Sequence, residues 1–389
     1  MSVPSGHGVT RSGASEHPPA AAADGAGGAA RERRTPDPVW LSDFDYELPS
    51  ELIAQVPSPE RDGARLLVLE RASGRLRHAL VRDLPEFLCS GDLLVFNDVR
   101  VRPARLHCRT ASGGAVELLL LAEESARVWS CLGRPAKRLR AGTTLVLPGG
   151  GGAVAHGRLT NGRWAVAFDP GVDVPRLLEH HGELPLPPYI KRPDGPLAVD
   201  RERYQTIFAS GGAAVAAPTA GLHFTPALLA ALDAAQVRRA TLTLAVGPST
   251  FLPVRAADAR GHELDSEWVE LASSTATAIE RTRALGRRVV AVGTTTTRAL
   301  ESAAQHGMIA CAGRSAARPA GGFWADAFIL PGFSFNVVDA LLTNFHLPRS
   351  TLLMLVGAFA GRDRVLAAYT AAVHERYRFY SYGDAMLIC

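Results

Sequence analysis

Apolar and polar positions follow two textures along this chain. In the first half, short apolar or β-branched runs are separated by turn signals. They lie at Ala64–Glu70, Leu76–Leu80, Asp92–Phe96, Ala104–Arg109, Val116–Leu121, Val128–Leu132, Thr143–Leu147 and Trp164–Phe168. Ala72-Ser73-Gly74 and Ser112-Gly113-Gly114 read as hairpin turns, and Gly149–Gly152 as a flexible connection. Strands at this spacing predict a small antiparallel barrel or sandwich. Pro49-Ser50-Glu51 predicts a short helix through Gln55.

After about Pro185 strands and helices alternate. Thr225-Pro226 caps a helix to about Gln236, Thr241–Val246 is a strand, and Ser273–Leu285 is helical. Arg287–Val292 is a β-branched strand leading to a helix over Thr295–Gln305. A Gly/Ala/Arg loop over 311–322 precedes a strand at Ala327–Leu330, and helices follow at Ser350–Phe359 and Asp363–Arg376. This alternation predicts an α/β fold with crossover helices. The expected organisation is an α/β domain over 39–65 and 185–389, with a β-barrel domain over 66–184 inserted near its start. Residues 1–38, rich in Ala, Gly, Ser and Pro, lack periodic apolar positions and are expected to form a disordered tail.

Composition narrows the function classes. The chain has 389 residues, is 47% hydrophobic and 21% charged, and so has ample apolar content for a large core. Its longest apolar stretch, Leu352 to Gly361, is about half of the ~20 residues a membrane span needs. The net charge of +4 permits a nucleic-acid partner without predicting one. Only Lys137 and Lys191 among the 42 basic residues are lysines, so the arginine abundance partly reflects a GC-rich coding bias. Five scattered cysteines without Cys-x-x-Cys spacing argue against a disulfide framework or a structural zinc site. No signal peptide stands out, so a cytoplasmic location is expected.

Five segments could carry chemistry. Val289–Val292 runs into Gly293-Thr294-Thr295-Thr296-Thr297-Arg298, a strand, glycine turn and hydroxyl-rich helix start that could offer free amides to a carboxylate or phosphate. Pro218-Thr219-Ala220-Gly221-Leu222-His223 places a histidine just before a helix, where a proton-transfer group could sit. Asn344, His346 and Ser350 surround a proline before an apolar helix and could bond a base or sugar, or simply start the helix. Asp98, Arg100, Arg102 and Arg105 could meet phosphates or form a solvated strand edge. The run Tyr377–Met386 is either a stacking surface or a packed anchor. Glu267 and Glu301 are nearby carboxylates, and no metal-ligand cluster stands out.

Taken together and in this order, these stretches resemble the S-adenosylmethionine:tRNA ribosyltransferase-isomerase family of queuosine biosynthesis. The similarity rests on Asp45–Pro49, Asp92–Arg105, Tyr204-Gln205-Thr206, Pro218–Thr225, Gly293–Ser302, Asp339–Gly361 and Tyr377–Ile388. It implies a cytoplasmic, usually monomeric enzyme with no metal, using S-adenosyl-L-methionine as co-substrate. Such enzymes transfer and isomerise its ribosyl part onto 7-aminomethyl-7-deazaguanine at the tRNA wobble position, giving epoxyqueuosine and releasing adenine and methionine. On this resemblance His223 is the expected proton-transfer residue. Gly293, Thr294, Thr295 and Arg298 are expected at the methionine carboxylate or ribose, Asn344 and His346 at a base, and Arg100 and Arg102 at the tRNA backbone. Asp98, Tyr204, Gln205, Thr206, Pro218, Thr219, Gly221, Gly247, Thr250, Phe251, Glu267, Glu301, Ser350 and Asp384 complete the expected binding set.

The chain departs from the family pattern twice: Ala245 and Asp265 stand where a histidine is usual. These departures leave two alternatives open. One is a paralogue acting on a free nucleobase or small-molecule amine; the other is a catalytically silent RNA-binding protein.

Overall fold

The structure, a computed structural model, describes residues 38–389 except 160–161, 194, 248–255, 263 and 311–315. The expected tail, up to residue 37, and part of the 311–322 loop lie outside the described residues. In chain order the strands are β1 (Arg65–Leu69), β2 (Leu76–Leu80), β3 (Leu93–Asn97), β4 (Val99–Val101), β5 (Arg105–Thr110), β6 (Ala115–Ser125), β7 (Val128–Arg134), β8 (Thr143–Val146) and β9 (Gly152–Arg158). They continue as β10 (Trp164–Phe168), β11 (Gly211–Ala214), β12 (Arg238–Leu244), β13 (Glu267–Glu270), β14 (Val289–Val292), β15 (Gly322–Ala325), β16 (Ala340–Asn344) and β17 (Ala385–Ile388). The helices are α1 (Val174–His181), α2 (Ala198–Arg203), α3 (Pro226–Ala234), α4 (Ser273–Ala284), α5 (Thr294–Gln305), α6 (Thr351–Ala360) and α7 (Arg362–His374).

Nine strands form one mixed sheet in the order β15-β13-β12-β3-β14-β16-β17-β1-β2. Its centre is parallel: β12 pairs β3, β3 pairs β14, and β14 pairs β16 in the same direction. Six strands, β10-β7-β6-β5-β8-β9, close into an antiparallel barrel. The α/β fold with an inserted barrel is therefore present. The chain leaves the large sheet after β3 and rejoins it at β12; between them β4 and β11 pair in parallel as a separate two-stranded sheet that brackets the insertion.

The barrel is narrower than its expected 66–184 segment, because β1, β2 and β3 run in the large sheet instead. The apolar pattern explains the difference. Leu66-Leu67-Val68-Leu69 and Leu93-Leu94-Val95-Phe96 are continuous apolar runs buried on both faces, as central strands must be. The barrel strands alternate: Leu106, Cys108, Val116, Leu118 and Leu120 point inward, with polar neighbours between several of them. Gly149–Gly152 leads directly into β9, a strand that the glycine-rich sequence hid.

Two smaller expectations also change. The turn after Pro49 is a single 3-10 turn, Ser50–Leu52. Ala327–Leu330 is not a strand, because its first residue is held by α5: Ala327 N–H donates to Ser302 Oγ (3.0 Å), and its carbonyl accepts from Arg298 Nε (3.0 Å). The edge strand lies earlier, at β15.

The C-terminal aromatics mostly close the core. Phe345, Tyr369, Tyr377 and Phe379 are fully buried and meet ring to ring at 5.0–6.2 Å. A buried ion pair joins this region to the segment after the barrel. Arg192 Nε and Nη2 donate to the two oxygens of Asp200 (2.7 and 2.8 Å), and Tyr382 Oη donates to the same carboxylate (2.9 Å). Burial pushes the Asp200 carboxyl up, but the bonds from Arg192 and Tyr382 outweigh it and hold it below the usual range.

Removing one member would leave an uncompensated buried charge. Arg192→Met should lower the unfolding free energy by about 3–5 kcal/mol. Urea titration checks this: the midpoint should fall with little change in slope, and a change under about 1 kcal/mol would show that water already solvates the pair.

Candidate active site

The parallel strands end at one edge of the sheet, and a cleft opens there. Val246 follows β12, Gly293 follows β14, and Phe345, His346 and Leu347 follow β16; all five line it. Tyr380 and Ser381, just before the antiparallel β17, close the far side, and Ala216–Ala220 form a third wall. The cleft and its open mouth together span about 680 Å³ of empty space. A crevice at the carboxyl ends of parallel strands is where open α/β sheets bind ligands.

Gly293 makes the turn into α5 with φ +101°, in the region glycine favours. Its N–H donates to Leu342 O (2.8 Å), fixing the helix start beside β16. Thr296 and Thr297 turn their hydroxyls back onto Val292 O and Gly293 O. Gly293, Thr294 and Thr295 are left on the cleft wall, and α5 has no side-chain N-cap there. An uncapped helix start presents N–H groups and the positive end of the helix dipole to an anion.

The opposite wall is aromatic and neutral. Tyr380 adopts φ +70° and packs against Tyr189 with ring centroids 4.6 Å apart; Tyr189 and Ser381 share a 2.7 Å hydroxyl bond. No Asp, Glu, Lys or Arg lines the cleft among the described residues. His346 is the imidazole on its surface. Its Nε2 lies 2.9 Å from Thr343 Oγ1, its backbone N–H donates to Tyr369 Oη (3.0 Å), and burial lowers its pKa to about 3.

Behind this wall sits His223. It is buried and does not line the cleft. Its Nε2 faces Asn344 Nδ2 at 3.2 Å, and Asn344 Nδ2 also donates to Tyr380 O (3.1 Å). That second bond fixes the amide orientation and leaves Asn344 Oδ1 buried without a partner among the described residues. Burial lowers His223 to about 4; Asp384 opposes the shift, and Arg378 adds to it. Both imidazoles are therefore neutral at pH 7.

Of the expected residues, Pro218, Thr219, Gly293, Thr294, Thr295, His346 and Ser350 line the cleft, with Asn344 and His223 behind it. Thr250 and Phe251 lie outside the described residues. The others lie away from the cleft lining. Arg298 is spent on Glu267 Oε2 (2.9 Å), Asp265 O (2.7 Å), Ala325 O (3.2 Å) and Ala327 O. Glu267 also accepts from Gly247 N–H (2.9 Å). Glu301 accepts three amide N–H groups of Asn336, Val337 and Val338.

Asp98 accepts from Thr243 and Ser210, and Gln205 pairs with the backbone of Val101. Tyr204 is fully buried edge-on to Tyr382, and Thr206 packs beneath Gly221, where a Cβ would come within 3.0 Å. Asp384 accepts from the N–H groups of Arg65 and Arg378. Arg102 bonds the carbonyls of Leu120 and Leu121 and stacks on Trp129, while Arg100 is exposed.

The two departures also fall away from the cleft lining. Asp265 forms an ion pair with Arg163 of the barrel (2.8 Å), and Ala245 N–H donates to Trp268 O. Tyr189, Ala216, Val246, Thr343, Phe345, Tyr380, Ser381 and Leu352 are cleft residues outside the expected set. Thr343, Phe345 and Leu352 lie in the Asp339–Gly361 stretch, and Tyr380 and Ser381 in the aromatic run, so those two segments carried a signal.

A sheet-edge crevice with an uncapped helix start and neutral imidazoles defines a small-molecule enzyme site of α/β type, with a barrel attached. Comparisons assign the family. The profile described as "Queuosine biosynthesis protein" matches residues 41–388, and the chain belongs to that family. The S-adenosylmethionine:tRNA ribosyltransferase-isomerase of Citrifermentans bemidjiense is 51% identical over 90% of this chain and 100% of its own length. The protein of the same name from Acidithiobacillus ferrooxidans is 53% identical over 89% of this chain and 97% of its own. The crystal structure of S-adenosylmethionine tRNA ribosyltransferase from Thermotoga maritima is 39% identical, with a TM-score of 0.50, over 89% of this chain and 100% of that one.

The depressed histidines have a thermodynamic consequence. As pH falls below the ordinary value of about 6.5, the unfolded chain takes up protons that folded His223 and His346 refuse. Their contribution to stability is complete above that pH and is lost toward about 4 and about 3, respectively. The expected loss is about 1.4 kcal/mol per pH unit per histidine. Thermal unfolding at pH 7 and pH 5 should therefore show a smaller drop for His346→Gln than for the unsubstituted protein; equal drops would place the ring in water.

Proposed function

We propose that this chain is an S-adenosyl-L-methionine-dependent ribosyltransferase-isomerase acting on tRNA. It transfers and isomerises the ribosyl moiety onto 7-aminomethyl-7-deazaguanine, yielding epoxyqueuosine and releasing adenine and methionine. The observation that carries the reading is the neutral cleft with one polarised end. The amino-acid carboxylate of the co-substrate suits the open start of α5 at Gly293–Thr295. Its sulfonium, a cation with no hydrogen-bond donor, suits the aromatic faces of Tyr380 and Tyr189 better than a carboxylate would.

The sulfonium acidifies the adjacent 5′ carbon, so a base can take that proton. Ring opening then expels adenine, the aminomethyl nitrogen attacks, and epoxide closure expels methionine. Both imidazoles are unprotonated at pH 7, the form that can accept the 5′ proton, and burial makes each a weaker base than a free imidazole. His346 meets the cleft directly. His223, behind the wall, acts there through its contact with Asn344. The activated co-substrate supplies the driving force, so the reading requires no metal. A cytoplasmic, monomeric state accords with this role.

Curated relatives near 50% identity carry this activity in their names, which favours the tRNA enzyme over the paralogue and the silent binder. The test is adenine release from S-adenosyl-L-methionine with tRNA carrying 7-aminomethyl-7-deazaguanine. Release should require that tRNA, and His346→Ala should reduce turnover by about 10²-fold or more. Equal release with the free modified base would establish the small-molecule reading, and no release with any acceptor would establish the silent binder.

A further inference from the structure

Charge on this chain is segregated. Residues 105–168, which hold all six barrel strands, carry nine basic and three acidic residues, a net +6 with histidines neutral. The whole chain is +4, so everything outside the barrel segment sums to −2. The excess is densest on one loop. Arg134, Lys137, Arg138 and Arg140 are all exposed, and none forms an ion pair among the described residues. Packing holds them outward. Leu139 is buried in the barrel over Gly133, where a Cβ would lie only 2.1 Å from Leu139 Cδ1, so the loop is pinned at its apolar residue.

This loop borders a second opening. A groove of about 1130 Å³ runs beneath it, with Arg134, Arg105 and Glu117 on the barrel side and Pro187, Pro188 and Ile190 opposite. The groove and the cleft share a wall. Pro188, Ile190 and Val215 face the groove, while their neighbours Tyr189, Ala216 and Ala217 face the cleft. A polyanion lying along the loop would thus pass directly beside the site where a base is to react. Four unpaired cations on a pinned loop suit phosphates at regular spacing, and an enzyme whose cleft carries no charge needs its electrostatic grip elsewhere.

We propose that the barrel segment 134–140, with the groove beneath it, is the docking surface for the sugar–phosphate backbone of the tRNA. The inference rests on the function proposed above. The barrel supplies affinity and register, and the cleft supplies chemistry. Salt therefore weakens binding of the RNA without weakening binding of S-adenosyl-L-methionine.

The experiment uses the full chain and the combined substitution Lys137→Ala, Arg138→Ala, Arg140→Ala. Anisotropy with labelled, unmodified tRNA is measured between 50 and 200 mM salt, beside calorimetry with S-adenosyl-L-methionine. The variant should bind tRNA about tenfold or more weaker at low salt, with a salt slope shallower by about 2–3. Its affinity for the co-substrate should be unchanged, and KM for modified tRNA should rise with kcat retained. Unchanged tRNA affinity and slope in a variant that still binds the co-substrate would overturn the docking surface and leave the proposed function standing. An unsubstituted protein that binds no tRNA, yet releases adenine with a small amine, would overturn both.

Discussion

The parallel register of β3, β14 and β16 is the constraint on which the rest depends. Val289 sits opposite Leu93 and Ala291 opposite Val95, while Val290 and Val292 meet Ala340 and Leu342. Because side chains alternate faces, a slip of one residue would exchange the two buried faces of each strand. With the register held, Gly293 and Phe345 emerge at the same edge, and α5 starts there. The cleft is a consequence of that pairing rather than of any single side chain. Its floor is apolar because the strands feeding it are buried on both faces.

The second constraint is how the charged groups are used. Arg298, Glu267, Glu301, Asp98 and Asp384 hold loops and strand ends together through bonds to backbone groups and to each other. They position the cleft walls without entering them. What faces the ligand is a helix start, aromatic rings, hydroxyls and an imidazole kept neutral by burial. Such a surface can hold a zwitterionic amino acid next to a sulfonium without a competing carboxylate. The cationic surface for a polyanion is displaced to the barrel, so the two binding problems are solved on separate parts of the chain.

Much of this was legible beforehand. Continuous apolar runs, capped helices such as Thr225-Pro226 and the Gly293 turn all report local physics, and they appear where the sequence puts them. The strand-to-helix turn, the Thr219 loop and the His346 segment line one cleft. Arg298 and Glu301 bond protein groups away from the cleft lining, a difference invisible in sequence, where a charged residue beside a glycine turn looks the same whether it faces a cavity or a buried carbonyl. The burial of His223 against Asn344, 121 residues away, is a long-range packing fact that its loop position does not reveal. Strand β9 was masked by its flanking glycines, and β16 and β17 by the motifs they carry. Net charge hid the basic barrel, since +6 and −2 sum to an unremarkable +4.

The most direct test of the account is a crystal structure of the protein soaked with S-adenosyl-L-methionine. The amino-acid carboxylate should lie at the amides of Thr294 and Thr295, with the sulfonium over Tyr380 and the adenine near His346. Density for the nucleoside in another part of the fold, or a carboxylate held by Arg298, would contradict it.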